Sequence, residues 1–117
     1  WKSTNGDLVL IIDQDNNPED RLETAYGYDA FVNEWEYLVA TYDGNDLKIY
    51  ANGQLVDSVA NVGSITNHDN TNIFIGFDGD GGSDRYFKGS LDEVLVFDKA
   101  LTQPEIVELY AKSKIRK

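Results

Sequence analysis

The sequence predicts an all-β, antiparallel body followed by one short helix near its C-terminal end. Three observations carry that expectation. Apolar residues alternate with polar ones or fall in short blocks, each bounded by Gly, Asn or Asp, which is the pattern of strands and turns. Asn52-Gly53 stands between two such runs and marks a two-residue hairpin. Thr102, Pro104 and Glu105 then open a segment with apolar Ile106, Leu109 and Tyr110 at helical spacing. A length of 117 residues suits one domain, and 41% hydrophobic residues with 12% aromatics supply a core.

Taken in order, strands are expected over Asp7–Ile12, Leu22–Tyr26, Glu34–Thr41, Asp46–Ala51, Gln54–Val59, Asn72–Phe77 and Tyr86–Phe97. Asn and Gly tolerate the positive φ angles of a type I′ turn, so Leu47–Ala51 and Gln54–Val56 read as the arms of one hairpin. Asp43-Gly44-Asn45 marks a tight turn just before it, which makes a three-stranded meander. Trp35 shares a strand face with Tyr37, Val39 and Thr41 and reads as a core anchor. Ile49, Ile75, Val94 and Val96 are expected to be buried with it. Gly89, lacking a Cβ, permits a bend or a close approach, and Asp92 interrupts an apolar strand where its carboxylate needs hydrogen bonds or a cation. The helix is expected near residues 103 to 111. Lys112, Lys114, Arg116 and Lys117 follow it, four of the ten basic residues, and favour the negative end of the helix dipole.

Charge and composition exclude several function classes. With 21 acidic against 10 basic residues the net charge is -11, a field that repels nucleic-acid phosphates and anionic membrane surfaces. The absence of cysteine removes disulfides, thiol catalysis and thiolate metal sites. The longest apolar run, Leu8 to Ile12, is far short of the ~20 residues of a membrane span.

Asn33–Gly44 followed by Leu47–Gly53 resembles the centre of laminin-G-like, concanavalin A-like jelly rolls. Ile73–Gly76, Phe87–Phe97, Lys99–Thr102 and Glu105-Ile106 resemble that family's closing strands and final segment, in the same order. The resemblance implies a two-sheet antiparallel jelly-roll sandwich with one short C-terminal helix, a single domain over residues 1–117. No opening strands of the family precede Trp1, so the resemblance covers the C-terminal two thirds, and the domain is expected to be N-terminally incomplete. The remaining strands would come from the same longer chain or from a neighbouring one. The function implied is a non-catalytic recognition or adhesion module of an extracellular or cell-surface protein, with a glycan or protein ligand. The alternatives are a structural packing module of a filament, surface layer or larger assembly, and an accessory domain of a glycoside hydrolase.

Candidate chemistry is sparse. The alternating carboxylate triplet of the family's glucanases does not occur; Glu34 and Glu36 flank Trp35 without it, and the one histidine, His68, sits among turn formers. Asp78, Asp80 and Asp84 fall at the first, third and seventh positions of a glycine-rich loop that could wrap calcium, and the same loop reads first as a solvated strand connection. Asp13–Asp20 begins similarly, but Pro18 stands where the turn needs Gly. Asp92 is a separate calcium candidate on family resemblance. Tyr26, Tyr28 and Tyr86 are candidate stacking platforms for sugar, or cross-strand packing residues.

Overall fold

The computed structural model describes residues 8–12, 22–26, 33–60, 75–76 and 87–115. The chain divides into two compact units, Trp1–Thr66 with Phe97–Lys117, and Asn67–Val96. In the first unit β1 (Leu8–Ile12) pairs antiparallel with β2 (Leu22–Tyr26), Leu8 opposite Tyr26 and Ile12 opposite Leu22. A second sheet follows the order β3 (Leu38–Tyr42), β4 (Leu47–Ala51), β5 (Gln54–Val59), antiparallel throughout. β2 runs close to β5 without joining its ladder. The meander is therefore as the turn residues dictate.

Both turns show their chemistry. Asn52 and Gly53 adopt φ of 52° and 83°, the two left-handed residues of a type I′ hairpin. At Asp43 the side-chain Oδ1 accepts from the N–H groups of Asn45 and Asp46 at 2.9 and 2.7 Å, while Gly44 takes φ 96°. Those two hydrogen bonds hold the Asp43 carboxyl below its ordinary value. A register shift between Ile49 and Tyr50 puts a bulge in β5, so that Tyr50 faces Leu55.

β4 is buried on both faces: Leu47 and Ile49 on one, Tyr50 on the other. Tyr50 joins Leu101 and Ile106 in a cluster that Val39 and Leu109 complete, so the core lies between the meander and α1 (Gln103–Ile115). Thr102 caps that helix. Its carbonyl accepts the Ile106 N–H at 3.0 Å, and its own N–H and hydroxyl donate to Glu105 Oε2 at 2.8 and 3.0 Å. Lys99 donates to the other Glu105 oxygen at 2.5 Å. The helix runs past the expected end at residue 111 to Ile115. No breaker intervenes there, Glu108 pairs with Lys112 one turn on at 2.6 Å, and the Lys112 and Lys114 charges favour the C-terminal dipole.

Several burial expectations are corrected. Ile49 is buried, but Trp35 is 56% exposed. β3 begins at Leu38, not at Glu34, because β4 ends at Ala51 and, among the described residues, no strand pairs with those before Tyr37. In the second unit Ile75, Val94 and Val96 are exposed, Val96 to 93%. The expected strand over Tyr86–Phe97 does not form among its described residues. Glu93 takes φ 51°, and its N–H donates to Asp92 Oδ1 at 2.8 Å, which breaks the extended run. At Gly89 the near neighbour is a side chain and not another backbone: a Cβ there would lie 2.9 Å from the Phe87 ring. Of the Asn72–Phe77 strand only Ile75 and Gly76 are described, as a bend whose Gly76 carbonyl accepts from the Phe87 N–H at 2.8 Å.

Two outcomes follow from these turns and caps. Gly53→Ala forces a Cβ into the left-handed region and to 3.3 Å from Tyr110 Cδ1, costing roughly 1–2 kcal/mol; thermal unfolding should show a lower midpoint, and an unchanged one would remove Gly53 from the fold's requirements. The Lys99 hydrogen bond and the Thr102 N–H and hydroxyl push the Glu105 carboxyl down from 4.5 to about 2. A carboxyl depressed on folding stabilises above its unfolded value, and that contribution is lost as pH falls through the folded one. The parent's advantage over Glu105→Gln in urea unfolding should therefore be full at neutral pH and vanish between pH 4.5 and about 2.

Candidate functional site

The tip of the β4–β5 hairpin, the lead-in to β3 and the last turns of α1 line a half-open cavity of about 390 Å³. Asn52 organises its polar side. The Asn52 N–H donates to the Tyr37 carbonyl at 2.8 Å, its Oδ1 accepts from the Tyr37 N–H at 3.2 Å, and its Nδ2 donates to Glu36 Oε2 at 2.8 Å. One turn residue thus holds two lead-in residues. Gly53 beside it lets the helix settle on the tip, with Val107 and Tyr110 in contact range.

The aromatic side is built from Trp35, Tyr37 and Tyr110. The two tyrosine rings lie 5.9 Å apart at 38°, within the range of favourable offset pairs. Lys114 places its Nζ 4.4 Å from the centre of the Tyr110 ring, a cation–π contact. Ser113 Oγ donates to the Tyr110 carbonyl at 2.8 Å, and Glu34 completes the rim. Burial pushes the Glu36 carboxyl up from its ordinary value; the Asn52 amide opposes this, and the Glu34 charge adds to it.

Such a cavity can stack a flat or puckered ring on its aromatic face while carboxylate and amide oxygens accept from hydroxyl or ammonium donors. None of the site residues expected from the sequence is among its described lining. Asp78, Asp80, Asp84, Tyr28 and Tyr86 lie outside the described residues, as does the side chain of Tyr26, whose backbone ends β2. Asp92 is exposed in the second unit and accepts from the Glu93 N–H. Among the described residues no group of three or more His, Cys, Asp or Glu could hold a metal, and no helix is long and apolar enough to cross a membrane. Sequence reasoning missed the cavity. The available signals were the alternation Glu34-Trp35-Glu36-Tyr37 and the helical spacing of Tyr110, Ser113 and Lys114, which share one face of α1.

An antiparallel β domain carrying a C-terminal helix, with a mixed aromatic and acidic cavity at a hairpin tip, is the class these features define. The laminin-G-like model described as the concanavalin A-like lectin/glucanases superfamily matches residues 1–107, and the chain belongs to that family. Among solved structures, the chain is similar to the 2.1 Å crystal structure of residues 221–444 of an S-layer domain-containing protein from Clostridium thermocellum ATCC 27405, at 20% identity and a TM-score of 0.63. The match covers 90% of this chain and 52% of that one, so the chain spans about half the length of the solved domain. At that identity the likeness is one of fold.

Proposed function

We propose that the chain is a non-catalytic recognition module of an extracellular or cell-surface protein, part of a two-sheet jelly roll, which binds glycan through the hairpin-tip cavity. The observation that carries this reading is Trp35, 56% exposed, lining one cavity with the Glu36–Asn52 hydrogen-bonded pair. An aromatic face next to fixed oxygen acceptors matches the apolar faces and hydroxyl rims of sugars. Membership of a lectin/glucanase superfamily supports the ligand class. Glu36 Oε2 is engaged by Asn52, which suits holding hydroxyls better than delivering a proton, and so the reading assigns no turnover. Calcium belongs to it as the ion ordering the loop of Asp78, Asp80 and Asp84, where crowded carboxylates repel one another, with Asp92 a separate candidate.

A second reading, a structural packing module of a filament, surface layer or larger assembly, is favoured by one observation. The second unit exposes Phe87, Leu91, Val94, Leu95 and Val96, five large apolar side chains within ten residues, a density that marks interaction surfaces. The fold shared with an S-layer domain-containing protein accords with it. On this reading the strands that complete the sandwich come from the same longer chain or from a neighbour.

Titration calorimetry with oligosaccharides separates the two. Saturable binding without hydrolysis, weakened roughly five- to tenfold in Trp35→Ala, is expected; equal binding by parent and variant, or turnover lost in Glu36→Gln, would sink the recognition reading. Repeating the titration and thermal unfolding with calcium and with chelator, for the parent and Asp80→Asn, tests the ion. Sedimentation should show concentration-dependent association if the apolar run of the second unit is a packing surface. A compact monomer at every concentration would remove that second reading.

A further inference from the structure

We propose that the hairpin-tip cavity selects sugars bearing a free, protonated amino group, and that Lys114 occupies the ammonium position until such a ligand displaces it. The inference deepens the glycan reading and rests on it. Its first support is charge. Glu34 and Glu36 bring two carboxylates to one cavity, and the only cationic lining residue among those described is Lys114. An anionic sugar entering there meets both carboxylates and the field of a chain carrying a net charge of -11. A neutral sugar gains nothing from that charge, whereas an ammonium gains a partner with each carboxylate.

The second support is independent of the carboxylates. Lys114 Nζ already lies over the Tyr110 ring at 4.4 Å, so the cavity's aromatic wall is one that holds an ammonium. Lys114 reaches it from the last turn of α1 at the end of a four-carbon stem, 63% exposed Lys112 being its counterpart on the same turn with a different partner, Glu108. A long, rotatable side chain leaves such a site readily. A ligand amine linked to a ring that stacks on Trp35, 56% exposed in the same cavity, combines two contacts in one molecule, and this additivity is what lets it outcompete Lys114. Partial burial of Glu36 and its repulsion by Glu34 raise the Glu36 carboxyl, and an incoming ammonium relieves that repulsion.

The test is calorimetry on the full chain with two matched probes, glucosamine oligosaccharides and their N-acetylated counterparts, at a pH where the free amine is protonated. The expected result is about fivefold or more tighter binding of the free amine, with a preference that shrinks as salt is added or as pH rises until the amine loses its proton. Glu34→Gln and Glu36→Gln should each move the affinity ratio toward one. Lys114→Ala should raise it by freeing the Tyr110 ring. Glu108→Gln, which removes the same charge from the helix surface away from the cavity, should leave the ratio as it was and so separates local pairing from the overall field. Circular dichroism and thermal unfolding of each variant confirm that it is folded. Equal binding of the two probes by the parent, or a ratio unchanged in both Glu34→Gln and Glu36→Gln, overturns the amine inference while leaving glycan recognition intact. A lower ratio in Lys114→Ala overturns the displacement by Lys114. Binding of neither probe overturns the amine inference together with the glycan reading.

Discussion

The fold turns on Asn52. A type I′ hairpin needs left-handed φ at two successive residues, and Asn and Gly meet that need at lower cost than other side chains. Asn52 then makes three hydrogen bonds beyond the turn: backbone and side chain to Tyr37, and side chain to Glu36. These replace the ladder that β4 can no longer offer past Ala51, and they dock the lead-in of β3 against the tip. Gly53, with no Cβ, brings α1 down onto the same tip. Remove Asn52 and the lead-in of β3 loses the three hydrogen bonds that tie it to the hairpin tip.

Legibility in the sequence followed the range of the interactions. The hairpin, the Asp43 turn and the Thr102–Glu105 cap are set within four residues, and each was readable from residue type and spacing. The meander register follows from those turns. What was not readable depends on partners far along the chain. Trp35 alternates correctly with Tyr37 and Val39 for a strand face, yet strand formation needs a neighbour, and β4 ends at Ala51, opposite Leu38, three pairs short of Trp35. Val94 and Val96 have strand-like alternation too, but Glu93 in the left-handed region, bonded to Asp92, ends the extended run before any face can be buried. Propensity states what a segment can do, and pairing decides whether it does.

The candidate site was illegible for a related reason. Its described residues come from three stretches, 34–37, 52 and 110–114, and the last, more than fifty positions on, is brought to the others by the packing of α1 on Gly53 and by the Tyr37–Tyr110 ring pair. Tyr110 has two obligations that sequence pattern cannot distinguish: it packs on the hairpin glycine and also forms a wall of the cavity. The aromatic residues that the sequence offers as sugar platforms, Tyr26, Tyr28 and Tyr86, belong to its expected strands and loops. The described lining draws on Trp35, whose alternation is that of a core residue, and on Tyr110, which falls in the helix's apolar stripe.

Lys114 shows how one side chain can serve the fold and a site together. At the end of α1 its charge opposes the exposed carbonyls of the last turn, an effect worth roughly 0.3–1 kcal/mol at a surface position. Its stem is long enough to satisfy that role while the ammonium rests on Tyr110, because the dipole acts over the whole last turn and does not fix the Nζ position. The cation–π contact is of similar size, so neither interaction holds the head group firmly. A charge that is retained by the helix but only loosely by the ring can vacate the ring without unfolding the helix end. The cavity can therefore exchange one ammonium for another at small cost to the fold, and the pairing of Glu36 with Asn52 keeps the acidic wall in position while it does so.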